Sequence, residues 1–224
     1  MGCDVHMNAE VKVRGEWKAV GRVFENSYHR SGHPTTITAY ADEGDYESNA
    51  PLTAEPYGGR NYYLFSALAD VRNYQGIEPM AEPRGLPADV SRFVKNRSDE
   101  MGCDGHSHSW LSLAELESCD WDAPMRDSGW VGVDSYREFK ELGRPTHWSG
   151  GVMGGNVVHV SNQAMDDILT NSPNDGKSYY TLAEWTWPLR EAVGDFIDKA
   201  IPSLRKLLDW DGVEDVRIVF FFDN

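Results

Sequence analysis

Two short runs carry the side chains best suited to chemistry: Asp4-Val5-His6, and Asp104-Gly105-His106-Ser107-His108. On a strand, residues two apart point to the same side. Asp4 and His6 therefore project together, with Asn8 and Glu10 further along the same face. An imidazole beside a carboxylate suits a divalent metal ion, or a general base with the carboxylate that orients it. An extended second run would aim Asp104, His106 and His108 to one side as well. Two histidines and a carboxylate suffice for a catalytic metal with one open position. The competing structural readings are a solvated strand face and a serine-rich helix cap. Both runs share the pattern Gly-Cys-Asp-x-His, at Gly2 and Gly102. That pattern raises the expectation that they face one another across one site, although their flanks do not match.

On this reading Asp4, His6, Asp104, His106 and His108 are metal ligands for Zn, Mn or Mg. Glu10, His6 and His108 are the catalytic candidates, with Glu10 as general base to a metal-bound water. Arg60, Asn61, Arg72 and Arg84 lie near element ends and suit phosphate or carboxylate, because a guanidinium offers a fork of donors. Trp110 can stack on a base, although large aromatics more often fill cores. Cys3 beside His6 ranks below metal binding, since nothing nearby clearly lowers its pKa. His159, within an apolar strand, reads as a core histidine.

The elements that must position these groups follow from periodicity. Residues 4–13 alternate as a half-buried strand, and Arg14-Gly15 turns into a second strand over about 16–24. Residues 25–59, with His29 and His33, form a long polar loop. Helices are expected over Asn61 to Arg72 and near Ala88 to Asn96, and one through Leu116 has capping-box spacing at Ser112 and Glu115. Residues 120–155 read as loop-rich, with a short helix near Ser135 to Leu142. Val157 to Val160 is a strand, Ser161 caps a helix, and Tyr179 to Trp185 is another strand. The clearest helix is Pro188 to Leu208, which Pro202 should kink or break. Val216 to Phe222 is the last strand. The expected architecture is a single α+β domain over residues 1–224, with a mostly antiparallel sheet against a long C-terminal amphipathic helix and several short helices.

Composition narrows the function classes. With 21 Lys and Arg against 36 Asp and Glu the formal charge is −15. So acidic a surface repels phosphate backbones and anionic membranes, which argues against duplex nucleic acid as a partner. Three cysteines without a C-x-x-C pair suggest a reducing compartment. Neither a signal peptide nor an apolar run of about 20 residues is evident.

The opening Met1-Gly2-Cys3-Asp4-Val5-His6 belongs to a wider set of distinctive motifs. These include Arg60-Asn61-Tyr62 with Leu64-Phe65, Ala69-Asp70-Val71-Arg72-Asn73 and Glu82-Pro83-Arg84-Gly85-Leu86-Pro87. His106-Ser107-His108-Ser109-Trp110-Leu111 and the Phe-rich ending Asp223-Asn224 complete it. Together they resemble a family of small bacteriophage and prophage proteins. The resemblance covers most of the chain, least well at 25–59 and 120–155. It implies a phage-encoded protein acting in the host bacterial cytoplasm, and brings no catalytic assignment. The expectation is a metal-dependent hydrolase or phosphodiesterase acting on a small nucleotide or phosphoester, such as a host immune signal. The alternative is a non-enzymatic anti-defence protein that sequesters such a nucleotide or blocks a host protein. A homo-oligomer is left open.

Overall fold

The computed structural model describes residues 2–26, 29, 32, 35–41 and 50–224; His33 lies outside them. In chain order the elements are β1 (Asp4–Val13), β2 (Glu16–Ala19), β3 (Phe24–Glu25), β4 (Leu52–Thr53), α1 (Tyr62–Ala69), α2 (Arg92–Met101), β5 (His106–Ser112), α3 (Leu113–Ser118), β6 (Pro124–Gly132), α4 (Val133–Leu142), β7 (Val157–Val160), α5 (Asn162–Asn171), β8 (Ser178–Pro188), α6 (Leu189–Val193), α7 (Ile201–Arg205) and β9 (Val213–Asp223). The class is α+β, as the pattern predicts. Where the sequence suggests one domain, the chain divides into two compact units: Met1–Asp120 with Ala192–Asn224, and Trp121–Glu191. Among the described residues no helix is long and apolar enough to cross a membrane.

The first unit is built on an antiparallel sheet in the order β2-β1-β9-β5. In β9, Asp223 lies opposite Asp4, Phe221 opposite His6 and Arg217 opposite Glu10. One face carries Val5, Met7, Ala9, Val11, Ile218, Phe220 and Phe222, all buried. Phe65 of α1 meets Phe222 there at 5.0 Å. The alternation of β1 suggests that its other face is wet. Instead Asn8 and Glu10 are buried too, because Val94 of α2, Leu86 and Val90 pack over Val219 and Trp110 on that side. The charge is accommodated by pairing. Glu10 Oε2 accepts from Arg217 at 2.7 Å, and its Oε1 accepts the Ser91 N–H at 2.8 Å. Arg217 also reaches Asp89 at 2.8 Å and lies 4.0 Å from the Trp17 ring centre.

The C-terminal helical region is segmented rather than continuous. After α6 the chain passes Gly194 at φ 39° into a π-helical turn, Phe196–Ala200, followed by α7 and a 3₁₀ turn, Lys206–Asp209. Pro202 cannot donate to a helix interior, and this arrangement places it in the first turn of α7, where no donor is needed. The apolar face survives, with Phe196, Ile197, Ala200, Ile201, Leu204 and Leu207 buried.

The second unit has a three-stranded sheet, β6-β8-β7, antiparallel between β6 and β8 and parallel between β7 and β8. Val131, Tyr136, Met165, Ala183 and Trp185 form its core. The stretch read as loop-rich thus hides a nine-residue strand. Its inward positions include Asp127 and Gly129, which break the apolar alternation. Gly129 makes room for Trp148, because a Cβ there would sit 2.6 Å from its Cδ1 and 3.1 Å from its Cβ. His159 is exposed rather than in the core, with its ring 4.2 Å from that of Trp130.

Candidate functional site

The second Asp-x-His run does not stay extended. Ser107 has φ 49°, and the β5–β9 register slips between His106 and Ser109. A bulge of this kind turns one side chain to the opposite face. His106 lies against Phe222, ring centres 6.0 Å apart, whereas His108 lies against Phe221 at 5.1 Å. Phe221 and Phe222 are adjacent in a strand and face opposite ways. The expected common side for Asp104, His106 and His108 is therefore absent. Asp104 is exposed in the turn after α2, its N–H donating to the Met101 carbonyl at 3.1 Å.

His6 and His108 do share a face, and Phe221 separates them. The His6 ring stacks on Phe221 at 5.2 Å and 20°, and His108 stacks at 25°. They stand on β1 and β5, on opposite sides of β9. With strands about 4.8 Å apart, the two imidazoles are roughly 10 Å from one another. Two nitrogens on one ion, at about 2.0–2.1 Å each, must lie within about 4 Å. Among the described residues no group of three His, Cys, Asp or Glu is placed to hold a metal. The candidate ligands thus do not fit the single shared ion expected of them. Glu10 does not fit the role of general base either, because it is 0% exposed and held by Arg217 and Ser91.

The structure does assemble a polar cluster where β1 starts and β9 ends. Asp223 Oδ1 accepts the Asp4 N–H at 3.0 Å, and Asp223 Oδ2 is 3.1 Å from His6 Nε2. Arg60 forks onto Asp4, with Nε 2.7 Å and Nη2 2.6 Å from its two oxygens. That fork holds the Asp4 carboxyl below its ordinary value. Gly2 makes room for it: a Cβ there would come within 2.7 Å of Arg60 Cζ. His108 Nε2 is 2.8 Å from Ser98 Oγ, and burial, with a lesser effect of His106, pushes its pKa down. Cys3 is fully buried, and burial raises its thiol pKa against the opposing influence of Arg72. A thiolate nucleophile is therefore disfavoured.

Arg60 also lines a cleft of about 400 Å³ with Asn61, Tyr62, Tyr63, Tyr74 and Gln75. Two predicted ligand-binding residues thus share one wall. Asn61 is a fixed part of it, since Oδ1 caps α1 at Leu64 N and Nδ2 donates to the Ala192 carbonyl at 2.8 Å. Arg72 donates to Asn224 Oδ1 at 2.9 Å, close to Cys3 and Tyr74. Arg84 and Trp110 serve elsewhere. Arg84 lies 5.0 Å over the Trp110 ring and forks onto Glu115, whose carboxyl it holds down at about 2.

Other groups in this unit escaped the sequence reading. Asp223 stands out in the sequence only as part of the ending, because nothing there ties it to His6, 217 positions away. Arg97 bridges Asn8 at 2.8 Å and Glu55 at 2.5 Å. Burial drives Glu55 up to about 7 and Arg97 down to about 10. Glu55 also lines a larger cleft, about 970 Å³, with Tyr57, Lys199, Lys206 and Trp210. None of the candidate site residues lines that cleft.

No protein-family model matches the chain, and neither a curated protein nor a solved structure matches it significantly.

Proposed function

We propose that this chain binds a small phosphorylated ligand of the nucleotide class, with the ring among Tyr62, Tyr63 and Tyr74 and the phosphate at Arg60. The observation that carries this reading is Arg60 on the wall of the tyrosine cleft. Tyr74 is 70% exposed, a stacking surface ready for a base. Arg60 commits Nε and Nη2 to Asp4, and its Nη1 makes no hydrogen bond among the described residues. The clamp on Asp4 fixes the guanidinium before any ligand arrives and reduces the ordering cost of binding. Because the predicted metal ligands do not converge, a resident ion has no part in this reading. The resemblance to phage proteins extends the proposal to a nucleotide signal of the bacterial host, met in its cytoplasm.

Calorimetric titration with ATP, ADP and cyclic nucleotides, with and without EDTA, tests it. Saturable binding indifferent to EDTA is expected. Tyr74→Ala should weaken it by about 1–3 kcal/mol, the worth of one stacked base. The reading fails if no nucleotide binds, or if Lys206→Ala in the larger cleft abolishes binding while Tyr74→Ala leaves it intact. Binding abolished by EDTA would restore the metal.

A further inference from the structure

We infer that His6, held by Asp223, is a general base that hydrolyses phosphoanhydrides seated at Arg60, so that nucleoside di- and triphosphates are cleaved while cyclic nucleotides are bound intact. This rests on the nucleotide-binding reading above and goes beyond it.

Three observations on one strand end support the assignment. First, Asp223 is anchored through Oδ1 on the Asp4 N–H and presents Oδ2 to His6 Nε2. A carboxylate so placed keeps the proton on Nε2 and leaves the lone pair on Nδ1. Second, His6 Nδ1 makes no hydrogen bond among the described residues and is not an enclosed atom. The His6 and Asp223 side chains are 23% and 26% exposed, so water reaches the pair. Third, Asp4 carries Arg60 two residues from His6 on the same strand face. That spacing is about 7 Å along the strand between the Asp4 and His6 positions, which puts the guanidinium held by Asp4 and the His6 imidazole in one cluster.

The substrate class follows from the groups that the described residues supply. The second imidazole of this face, His108, stands beyond Phe221, is held by Ser98 and has its protonated form disfavoured by burial. Among the described residues the cluster thus offers one base and one guanidinium, and the second imidazole is not placed to act as its acid. A leaving group must then depart as an anion without taking a proton. A phosphate or nucleoside phosphate can do so, whereas a sugar alkoxide cannot. In the step, the oxygen of a water molecule forms a bond to phosphorus. His6 Nδ1 takes the proton of that water, and the P–O bond to the leaving phosphate breaks with its electron pair. Arg60 Nη1 faces the growing negative charge, and His6 returns its proton to solvent.

The test measures phosphate release and nucleotide binding on the full chain with ATP, ADP and a cyclic nucleotide as probes. Wild type should turn over ATP or ADP and leave the cyclic nucleotide unchanged. His6→Asn should lower kcat by on the order of 10²–10⁴, the usual worth of a general base, with binding retained. Asp223→Asn keeps an oxygen for the Asp4 N–H but sets an NH2 against Nε2, which moves the His6 proton to Nδ1. It should remove the acid limb of the kcat/KM profile, and the ¹⁵N shifts of His6 should report the exchanged tautomer. Binding without turnover, or turnover indifferent to His6→Asn, overturns this inference and leaves the binding reading standing. Absence of binding overturns both.

Discussion

β1 and β9 lie side by side, and their common polar face is closed at one end and open at the other. At the closed end, Glu10 and Arg217 are 0% and 3% exposed and fully paired. At the open end, His6 and Asp223 are 23% and 26% exposed, and Asp4 and Arg60 are 47% and 52% exposed. The residue types are alike: each end joins a carboxylate to a basic group across the same two strands. Cover separates them. Residues 86–91 and α2 close over Glu10 and Arg217, so those charges hold the fold and reach no water. Among the described residues no such cover encloses His6, and its side chain stays 23% exposed. A carboxylate beside a base is therefore weak evidence of function until its exposure is known.

The comparison can be broken or sharpened by substitution. The largest effect is expected at the closed end. Glu10→Ala leaves the buried Arg217 with Asp89 as its remaining acidic partner and should cost about 3 kcal/mol, measured by urea unfolding. Nucleotide affinity of the folded fraction should be unchanged, and a loss of affinity without a loss of stability would erase the distinction between the ends. A smaller effect is expected from His108. Its folded pKa lies below the ordinary 6.5, so below 6.5 the unfolded chain takes up the proton first. Its contribution is whole above 6.5 and is lost as the pH falls through the folded value. His108→Gln should flatten the pH dependence of unfolding over that window, and an unchanged slope would count against a neutral, buried His108. The smallest stability change belongs to the open end. Asp4→Ala should alter stability by about 0–1 kcal/mol, as exposed ion pairs do, yet it releases the Arg60 clamp. Calorimetry should then show weaker or less enthalpic nucleotide binding, and unaltered binding would show that the clamp positions nothing.

Local signals were legible where they concern neighbours in sequence. The alternation of residues 4–13 marks β1 and puts Asp4, His6 and Glu10 on one face. Asn61 caps α1, and Ser112 with Glu115 forms the capping box that their spacing predicts. The candidate site was legible in part: Asp4, His6, Arg60 and Asn61 gather at one sheet end, while Asp104, Arg84 and Trp110 do not join them. The aim of His106 was not legible, because one positive φ at Ser107 reverses a side chain and a serine there carries no obvious mark of it. β6 was missed because its inward positions hold Asp127 and Gly129, each suited to a particular neighbour rather than to a generic core.

The sequence by itself determined the class, the main strands and caps, and the strand face on which Asp4 and His6 sit, since these depend on periodicity and on contacts within a few residues. Tertiary structure alone decided that Asp223 orients His6, that Glu10 is enclosed, that Phe221 separates two histidines, and that Arg60 reaches both Asp4 and a tyrosine cleft. Those relations join residues far apart in the chain, and those of His6 with Asp223 and Phe221 exist only once β9 has been inserted between β1 and β5.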